Sequence, residues 1–370
     1  MHRLQALFPI NFRVYFCIDN RIWLNFNTMG KFSNDASYIN KLSKNIGILV
    51  VNLGSPDSPS TADVRRYLSE FLSDRRIIEA SPLIWQPILH GFILRTRPKK
   101  TAHAYSKVWT DAGSPLVTIS QSIANNLKQH LSKQFNDQLH IECAMRYGKP
   151  SIGHAIEKLR DNGVQKILVL PLYPQYSATT TASVLDSIFD YTKTIRAVPE
   201  LRIINEYHDH PAYIDALAQS IRDNRTPGSK LLMSFHGLPK QNIDNGDPYQ
   251  QQCLTTANLL AKTLKLENND WICCFQSRFG PKQWLEPYTN VTLGELAQQG
   301  TTSIDVVCPG FPADCLETLE EMNMQNRDLF IEQGGKEYHY IPALNESNIH
   351  IKALGEIILH YCQDWTTPNA

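Results

Sequence analysis

Residues 304–321 read Ile-Asp-Val-Val-Cys-Pro-Gly-Phe-Pro-Ala-Asp-Cys-Leu-Glu-Thr-Leu-Glu-Glu, a short apolar run followed by a Pro-Gly turn and an acidic stretch. The apolar run predicts a buried strand, and a helix is expected after the turn. On that helix Asp314, Glu317 and Glu321 would form one acidic stripe near the carboxyl end of the strand. Open α/β sheets bind their ligands at that end of their strands.

A second stretch, residues 231–239, reads Leu-Leu-Met-Ser-Phe-His-Gly-Leu-Pro and predicts another buried strand, which ends in His236 and a glycine turn. Asp314 followed three positions later by Glu317 also fits a helix-capping pattern, which would be purely structural. The histidine at the second strand end favours a functional interpretation, because it offers an imidazole beside the predicted carboxylates.

Several segments together resemble the motifs of ferrochelatases, which insert ferrous iron into a porphyrin to make haem. The resemblance covers about residues 46–360 in the family's order and spacing, and it implies a lyase of the metal chelatase class that converts protoporphyrin IX and Fe²⁺ into protohaem. The segments are SFHGLP (234–239), GFPADCLETLEE (310–321), PLYPQYSATT (171–180), NGDPY (245–249) and QSRFGPKQWLEP (276–287).

The resemblance assigns the chemistry to the two strand ends. His236 would act as a base toward the pyrrole N–H or as an iron contact, with Glu317 opposite it, while Asp314 and Glu321 would extend a route for metal or protons. Histidine accepts a proton near neutral pH. Imidazole nitrogen and carboxylate oxygen also hold Fe²⁺ less tightly than thiolates hold soft metals, which suits a metal that must leave.

Four further residues resemble family positions at the porphyrin pocket: Ser55, Arg146, Tyr147 and Trp284. A guanidinium at Arg146 could hold a propionate bidentately. An ordinary surface arginine and a core tryptophan are the structural alternatives for Arg146 and Trp284.

Two positions depart from patterns found in the family. Cys315 stands where many ferrochelatases carry a histidine, which puts a second-histidine proton relay in doubt. Cys362 stands alone near the C-terminus, where some members bind a [2Fe-2S] cluster through several cysteines, so we expect no cluster and no other cofactor. Fe²⁺ is a substrate in this scheme.

Strand and helix patterns alternate along the chain, and Ser60 is placed to cap the first helix. The alternation predicts an α/β fold with two Rossmann-like lobes, each a parallel β-sheet flanked by helices, and the family implies a porphyrin cleft between them. The predicted lobes span residues 46–205 and 206–344, with a helix at 345–362 packing back on the first. Residues 1–45 are expected to form a poorly ordered N-terminal extension.

Composition excludes some other classes of protein. The 370 residues carry 36 basic and 36 acidic side chains, a balance that gives no support for nucleic-acid binding. The eight cysteines are scattered without CxxC pairs, which fits a reducing compartment, and we expect the cytoplasm.

Residues 81–100 combine a strongly apolar stretch with four basic residues at its end. A buried helix with a basic last turn is one interpretation. In ferrochelatases this region is the lip of the porphyrin pocket, and such a surface could rest peripherally on the inner membrane. We expect Trp85, Leu89 and Ile93 among the apolar side chains that it presents.

Two rival functions remain open at this point. A porphyrin or haem carrier would explain the apolar lip but not an acidic stripe facing a histidine. A chelatase for another tetrapyrrole or metal, such as coproporphyrin or cobalt, would share the same site, and sequence does not fix the ring substituents.

Overall fold

Two parallel β-sheets form the centre of the protein, which is described here by a computed structural model covering residues 36–365. The strands are β1 Ile46–Ser55, β2 Leu139–Gly148, β3 Lys166–Pro171, β4 Glu200–Ile203, β5 Lys230–His236, β6 Trp271–Gln276, β7 Ser303–Val307 and β8 Glu337–Tyr340. The first sheet has the order β2-β1-β3-β4 and the second the order β6-β5-β7-β8, with parallel neighbours throughout.

The two sheets have the same topology. Each strand of the second sheet has the same position in the strand order as the strand numbered four lower has in the first sheet. The predicted α/β fold with two Rossmann-like lobes is therefore confirmed. The short strand β4 was not predicted. Its four residues alternate charged and apolar side chains as a half-buried strand does, but so short a run gives only a weak signal.

Helices cover the faces of both sheets. In chain order they are α1 Ala36–Ile39, α2 Thr61–Ser73, α3 Pro82–Ile88, α4 Leu94–Val108, α5 Pro115–Leu131, α6 Ile152–Asp161, α7 Ser183–Thr192, α8 Pro211–Asn224, α9 Lys240–Asp244, α10 Tyr249–Leu264, α11 Thr289–Gln298, α12 Arg327–Glu332 and α13 Asn348–Tyr361. Wider π-helical turns occur at Leu89–Ile93, Ala178–Ala182 and Glu317–Asn326, and a 3₁₀ turn at Ser132–Phe135.

Local sequence explains how the first unit forms. Strand β1 is buried on both faces, as expected for a parallel strand built from a continuous Val, Ile and Leu run. Gly54 has a φ of 106°, and a Cβ there would lie 1.8 Å from the carbonyl oxygen of Tyr147, so only glycine fits. Ser60 then caps α2 by accepting from the N–H of Asp63, as predicted.

One hydrophobic core runs through both lobes, with Ile48 of β1 and Phe235 of β5 in the same buried cluster. Helix α13 packs against α5 and α8. The lobe boundary proposed near residue 205 falls between β4 and α8, within this continuous core.

Residues 1–35 of the predicted extension lie outside the described residues. In the described remainder, Tyr38 is buried and its hydroxyl donates to the carbonyl oxygen of Val164 at 2.7 Å. This contact attaches α1 to the first lobe.

The stretch that follows β7 differs from its prediction. Asp314 lies in the loop before the helical segment, which begins as a π-helix at Glu317. The expected placement of Asp314 on a helix with Glu317 and Glu321 is therefore wrong. The Pro-rich loop delays the helix start, and π-helical turns are frequent at functional sites.

Residues 81–94 are not a buried helix. Leu83 is 88% exposed and Phe92 is 63% exposed. Trp85 instead packs against the first lobe and donates its indole N–H to the carbonyl oxygen of Leu72 at 2.6 Å, and Leu89 is fully buried. The expectation that Trp85 and Leu89 belong to the presented apolar face is thus wrong. No helix in residues 36–365 has the length and apolarity to cross a membrane.

His350 makes the fold sensitive to acid. It is fully buried in α13, where Nδ1 bonds to the carbonyl oxygen of Asn345. Burial lowers the pKa of His350 to about 4, although the Asn345 bond opposes that shift. The unfolded chain therefore binds an extra proton between about pH 6.5 and pH 4, and stability falls as pH drops through that window.

We predict that the wild-type protein loses about 2 kcal/mol of unfolding free energy through this group between pH 7 and pH 5. His350→Gln should lose less unfolding free energy than the wild type between pH 7 and pH 5, because the glutamine amide does not titrate. Urea unfolding at the two pH values measures the difference. The exposed His154→Gln is the control and should behave as wild type; equal pH losses in His350→Gln and wild type would contradict the prediction.

Candidate active site

The carboxyl ends of β5 and β6 meet through a close backbone contact. His236 and Gln276, the last residues of these strands, are register partners, and the N–H of Gly237 donates to the carbonyl oxygen of Gln276 at 2.8 Å. A Cβ on Gly237 would lie 2.8 Å from that oxygen and 3.2 Å from the ring of Trp284. Glycine therefore allows the turn that places His236 at the sheet edge.

The half-buried imidazole of His236 is held in one tautomer. Its Nδ1 lies 2.7 Å from the carbonyl oxygen of Gly237, which can only accept a hydrogen bond. Nδ1 therefore carries a proton in this contact, and in the neutral imidazole the lone pair lies on Nε2. A lone pair on Nε2 can accept a proton or contact a metal ion.

The π-helix brings two glutamates to the ends of β5 and β6. The side chain of Gln276 donates to the carbonyl oxygen of Glu317 at 3.1 Å, and the backbone N–H of Ser277 donates to the carboxylate of Glu321 at 2.7 Å. Burial raises the pKa of Glu321; Ser277 and His236 oppose the rise, while Glu317 adds to it. The structure thus brings His236, Glu317 and Glu321 into one electrostatic cluster.

Three tyrosines of the first lobe lie near the Glu317 carboxylate. They are Tyr67, Tyr105 and Tyr173. Burial raises the pKa of each above its usual range, and the charge of Glu317 adds to that effect. The hydroxyl of Tyr173 is buried with no hydrogen-bond partner in the described part of the chain. These phenols stay protonated at neutral pH, and we call the three rings together the first-lobe wall.

Arg146 and Tyr147 converge on a carboxylate that the sequence did not indicate. Asp74 accepts from Arg146 Nη2 at 2.5 Å, from the Tyr147 hydroxyl at 2.7 Å and from Ser183 Oγ at 2.6 Å. Burial opposes the charge of Asp74, but these polar contacts lower its pKa overall. Arg146 Nε is also bonded to Ser183, so a bidentate propionate contact would need the remaining edge of the guanidinium.

Ser55 and Trp284 are both buried, on opposite sides of the interlobe region. Ser55 ends β1 and is the register partner of Gly148 in β2. The ring of Trp284 lies 4.9 Å from that of Phe279, and its indole N–H has no partner within residues 36–365. Their porphyrin-binding roles stay predictions.

Asp314 is separated from the acidic cluster by its own contacts. One carboxylate oxygen accepts from the Tyr340 hydroxyl at 2.7 Å and from Thr318 Oγ1 at 2.8 Å, and the other accepts from Asn345 at 2.7 Å. With both oxygens bonded inside the protein, Asp314 stabilises the loop that leads to Glu317.

Cys315 lies next to the acidic cluster without a histidine's chemistry. It is buried, and burial with the neighbouring Glu317 charge raises the pKa of its thiol well above the usual range. Cys362 is also buried, in the core. Within residues 36–365 no three His, Cys, Asp or Glu side chains are arranged to hold a metal ion. The expectation of no iron-sulfur cluster stays a prediction.

A rim cavity of about 440 Å³ lies beside the Asp74 cluster. Arg75, Arg76 and Ala178 are among its lining residues, and Arg76 is paired with Asp186. The cavity was not predicted, because its arginines follow a helix end without a recognisable motif. Tyr173 and Ser277, by contrast, lie inside segments that had already been singled out.

Known proteins resemble this chain over most of its length. The ferrochelatase family model matches residues 45–361. Ferrochelatase 1 of Shewanella oneidensis is 49% identical over 322 residues, covering 86% of this chain and 96% of that protein. The ferrochelatase of Nitrosococcus oceani is 46% identical and covers 90% of this chain and 92% of its own length.

A solved structure extends the comparison to the fold alone. SirB from Bacillus subtilis with Fe³⁺ superposes with a TM-score of 0.53 at 13% identity, covering 87% of this chain and 96% of that one. The family model spans most of the sequence, including the strand ends at His236 and Gln276, and this chain matches the two relatives over nearly their whole lengths. The chain belongs to the ferrochelatase family.

Proposed function

We propose that the cleft beside His236 is where this enzyme inserts Fe²⁺ into protoporphyrin IX to form protohaem, the terminal step of haem biosynthesis. The observation that carries the proposal is the cluster of His236, Glu317 and Glu321 opposite the first-lobe tyrosines. Mixing the protein anaerobically with Fe²⁺ and protoporphyrin should produce the metalloporphyrin spectrum. Coproporphyrin and Co²⁺ serve as competing substrates, and binding without turnover would indicate a carrier.

The residues present can account for the two protons that leave the ring as iron enters. Nε2 of His236 is free to take a pyrrole proton, because Nδ1 is already committed to Gly237. Glu321 holds a proton at higher pH than a free glutamate, which suits a relay group. Glu317 would approach the metal from the other side. We leave Asp314 out of this route, because its carboxylate is fully bonded.

The porphyrin would lie between this cluster and the first-lobe wall. Tyr67, Tyr105 and Tyr173 supply apolar ring surface for a flat ligand. A cleft that fits the bent ring better than the flat one lowers the insertion barrier by differential binding. We place the propionates toward the rim cavity, where Arg75 is exposed and Arg146 keeps one guanidinium edge.

We also propose that the lip formed by residues 81–100 touches a membrane surface. Leu83, Ile84, Ile88 and Phe92 are exposed there, and the four basic residues that follow are exposed as well. Apolar insertion with roughly 1 kcal/mol per basic residue would give weak, salt-sensitive attachment to anionic lipid. Cytoplasmic location with peripheral contact at the inner membrane follows from this proposal.

His236→Ala should abolish iron insertion and leave porphyrin binding nearly unchanged, because the ring's apolar contacts do not involve the imidazole. Metalloporphyrin absorbance measures turnover, and quenching of porphyrin fluorescence measures binding. His154→Ala, on the surface, is the control and should be fully active. Near-normal turnover in His236→Ala would rule out the assignment.

Glu317→Gln should slow insertion by at least about a hundredfold, if its charge approaches the metal. Thermal stability should hardly change, because the hydrogen bond from Gln276 goes to the backbone of Glu317. The matched control is Glu320→Gln, three residues on, which breaks a part-buried ion pair to Lys107. The control should lose stability and keep activity per folded molecule. If Glu317→Gln itself lost stability and kept activity per folded molecule, that result would support the capping interpretation of Glu317.

Phe92→Asp should weaken cosedimentation with anionic liposomes at low salt and raise the KM for membrane-delivered porphyrin more than it lowers kcat. It replaces an exposed apolar side chain, so folding should survive. Val198→Asp is the control, since Val198 is 52% exposed outside the lip. Absence of wild-type liposome binding at low salt would refute the membrane proposal.

A further inference from the structure

Asp247, in the NGDPY segment, forms a bridge between the two lobes. One carboxylate oxygen accepts from the N–H of Ala178 at 2.8 Å and from Ser177 Oγ at 2.9 Å, both in the first lobe. The other oxygen accepts from the N–H of Tyr249 at 3.0 Å, where α10 begins. One negative charge therefore serves the N-terminal ends of two helical segments, where carboxylates are most stabilising.

Neighbouring contacts attach the same first-lobe loop to α10. Gln175 Nε2 donates to Thr256 Oγ1 at 2.9 Å, and the N–H of Tyr176 donates to the side chain of Gln252 at 2.6 Å. Among the second-lobe side chains in these contacts, Asp247 is the charged one, and hydrogen bonds to a charged group are the stronger kind. We call this set of contacts, from Gln175 to Ala178, the loop clamp.

The clamped loop carries groups that line the proposed cleft. Tyr173, two residues before the clamp, interacts with both Glu317 and Arg146. Ala178 lines the rim cavity. Past the π-helical turn, Ser183 bonds to Arg146 and Tyr147. The first-lobe side of the cleft thus depends on a segment that the second lobe holds in place.

We propose that Asp247 is a positioning residue for porphyrin binding. It fixes the segment from Tyr173 to Ser183 against the second lobe, and so sets the first-lobe wall at the correct distance from His236 and Glu317. The inference rests on the proposed function of the cleft. The carboxylate of Asp247 is bonded to Ser177, Ala178 and Tyr249, so it acts on the porphyrin only through the segments that it holds.

The position of Asp247 gives a specific kinetic signature. The metal-side groups His236 and Glu321 are held by contacts at β5 and β6 that do not include Asp247. Loss of the clamp should therefore weaken porphyrin binding and leave the chemistry at saturation nearly unchanged. A residue needed only for folding would change neither constant per folded molecule.

The test compares Asp247→Asn with Asp244→Asn. Asparagine keeps one acceptor and loses the charge, so KM for protoporphyrin should rise about tenfold while kcat changes less than about twofold. Asp244 is exposed on α9 and pairs with Lys240, and its variant should match wild type. Porphyrin affinity by fluorescence quenching and amide exchange at residues 177–183 should change in parallel with KM, independently of turnover.

Ser177→Ala gives a milder second variant, because it removes one donor to the same carboxylate. It should raise KM by about threefold, and adding it to Asp247→Asn should produce little further change. An unaltered KM in folded Asp247→Asn would overturn the proposal. If that variant fails to fold, an unaltered KM in Ser177→Ala would overturn it instead. A fall in kcat with no change in KM would overturn it as well. A wild-type protein that binds porphyrin but inserts no iron would instead refute the proposed function, while the binding and exchange measurements still decide the role of Asp247.

Discussion

The contact between Gly237 and Gln276 is the constraint on which the site depends. Gln276 uses its carbonyl oxygen to hold the turn after His236, and its side chain reaches both Ser234 and the backbone of Glu317. A single buried residue at the end of β6 therefore fixes the histidine strand and the start of the π-helix together. Buried polar groups need hydrogen-bond partners, so each of these bonds favours the arrangement of His236, Glu317 and Glu321 in which it can form.

Packed elements of both lobes support the two sides of the proposed cleft. The core is continuous between the lobes, and Lys107 of α4 pairs at 2.8 Å with Glu320, which lies on the π-helix and is almost fully buried. Close-packed interiors resist small adjustments, so a flat ring that enters must adapt to the protein more than the protein adapts to it. This stiffness is what a cleft needs if it is to favour the bent form of a porphyrin.

The sequence predicted the sheets and the two strand ends well, because long Val, Ile and Leu runs with clear turn residues leave few alternatives. It failed at Asp314, since helical spacing assumed an α-helix where the chain forms a loop and then π-helical turns. Asp74 was missed because nothing in its local sequence reveals a partner more than 70 residues away. The sequence showed that Trp85 is apolar but not which way its side chain points, because its contact with Leu72 in the folded protein determines that orientation.

Under the proposed mechanism, the charge of the cluster changes with each step of the reaction. Carboxylates at Glu317 and Glu321 attract a divalent cation most strongly while they are ionised. When iron enters the ring, the protons that leave can pass to His236 and Glu321, which neutralises the carboxylate and makes the imidazole positive. Both changes weaken the attraction for a second cation until the protons reach solvent. The raised pKa of Glu321 favours capture of a proton at that carboxylate, and release of the proton to solvent then restores the charge that attracts the next cation.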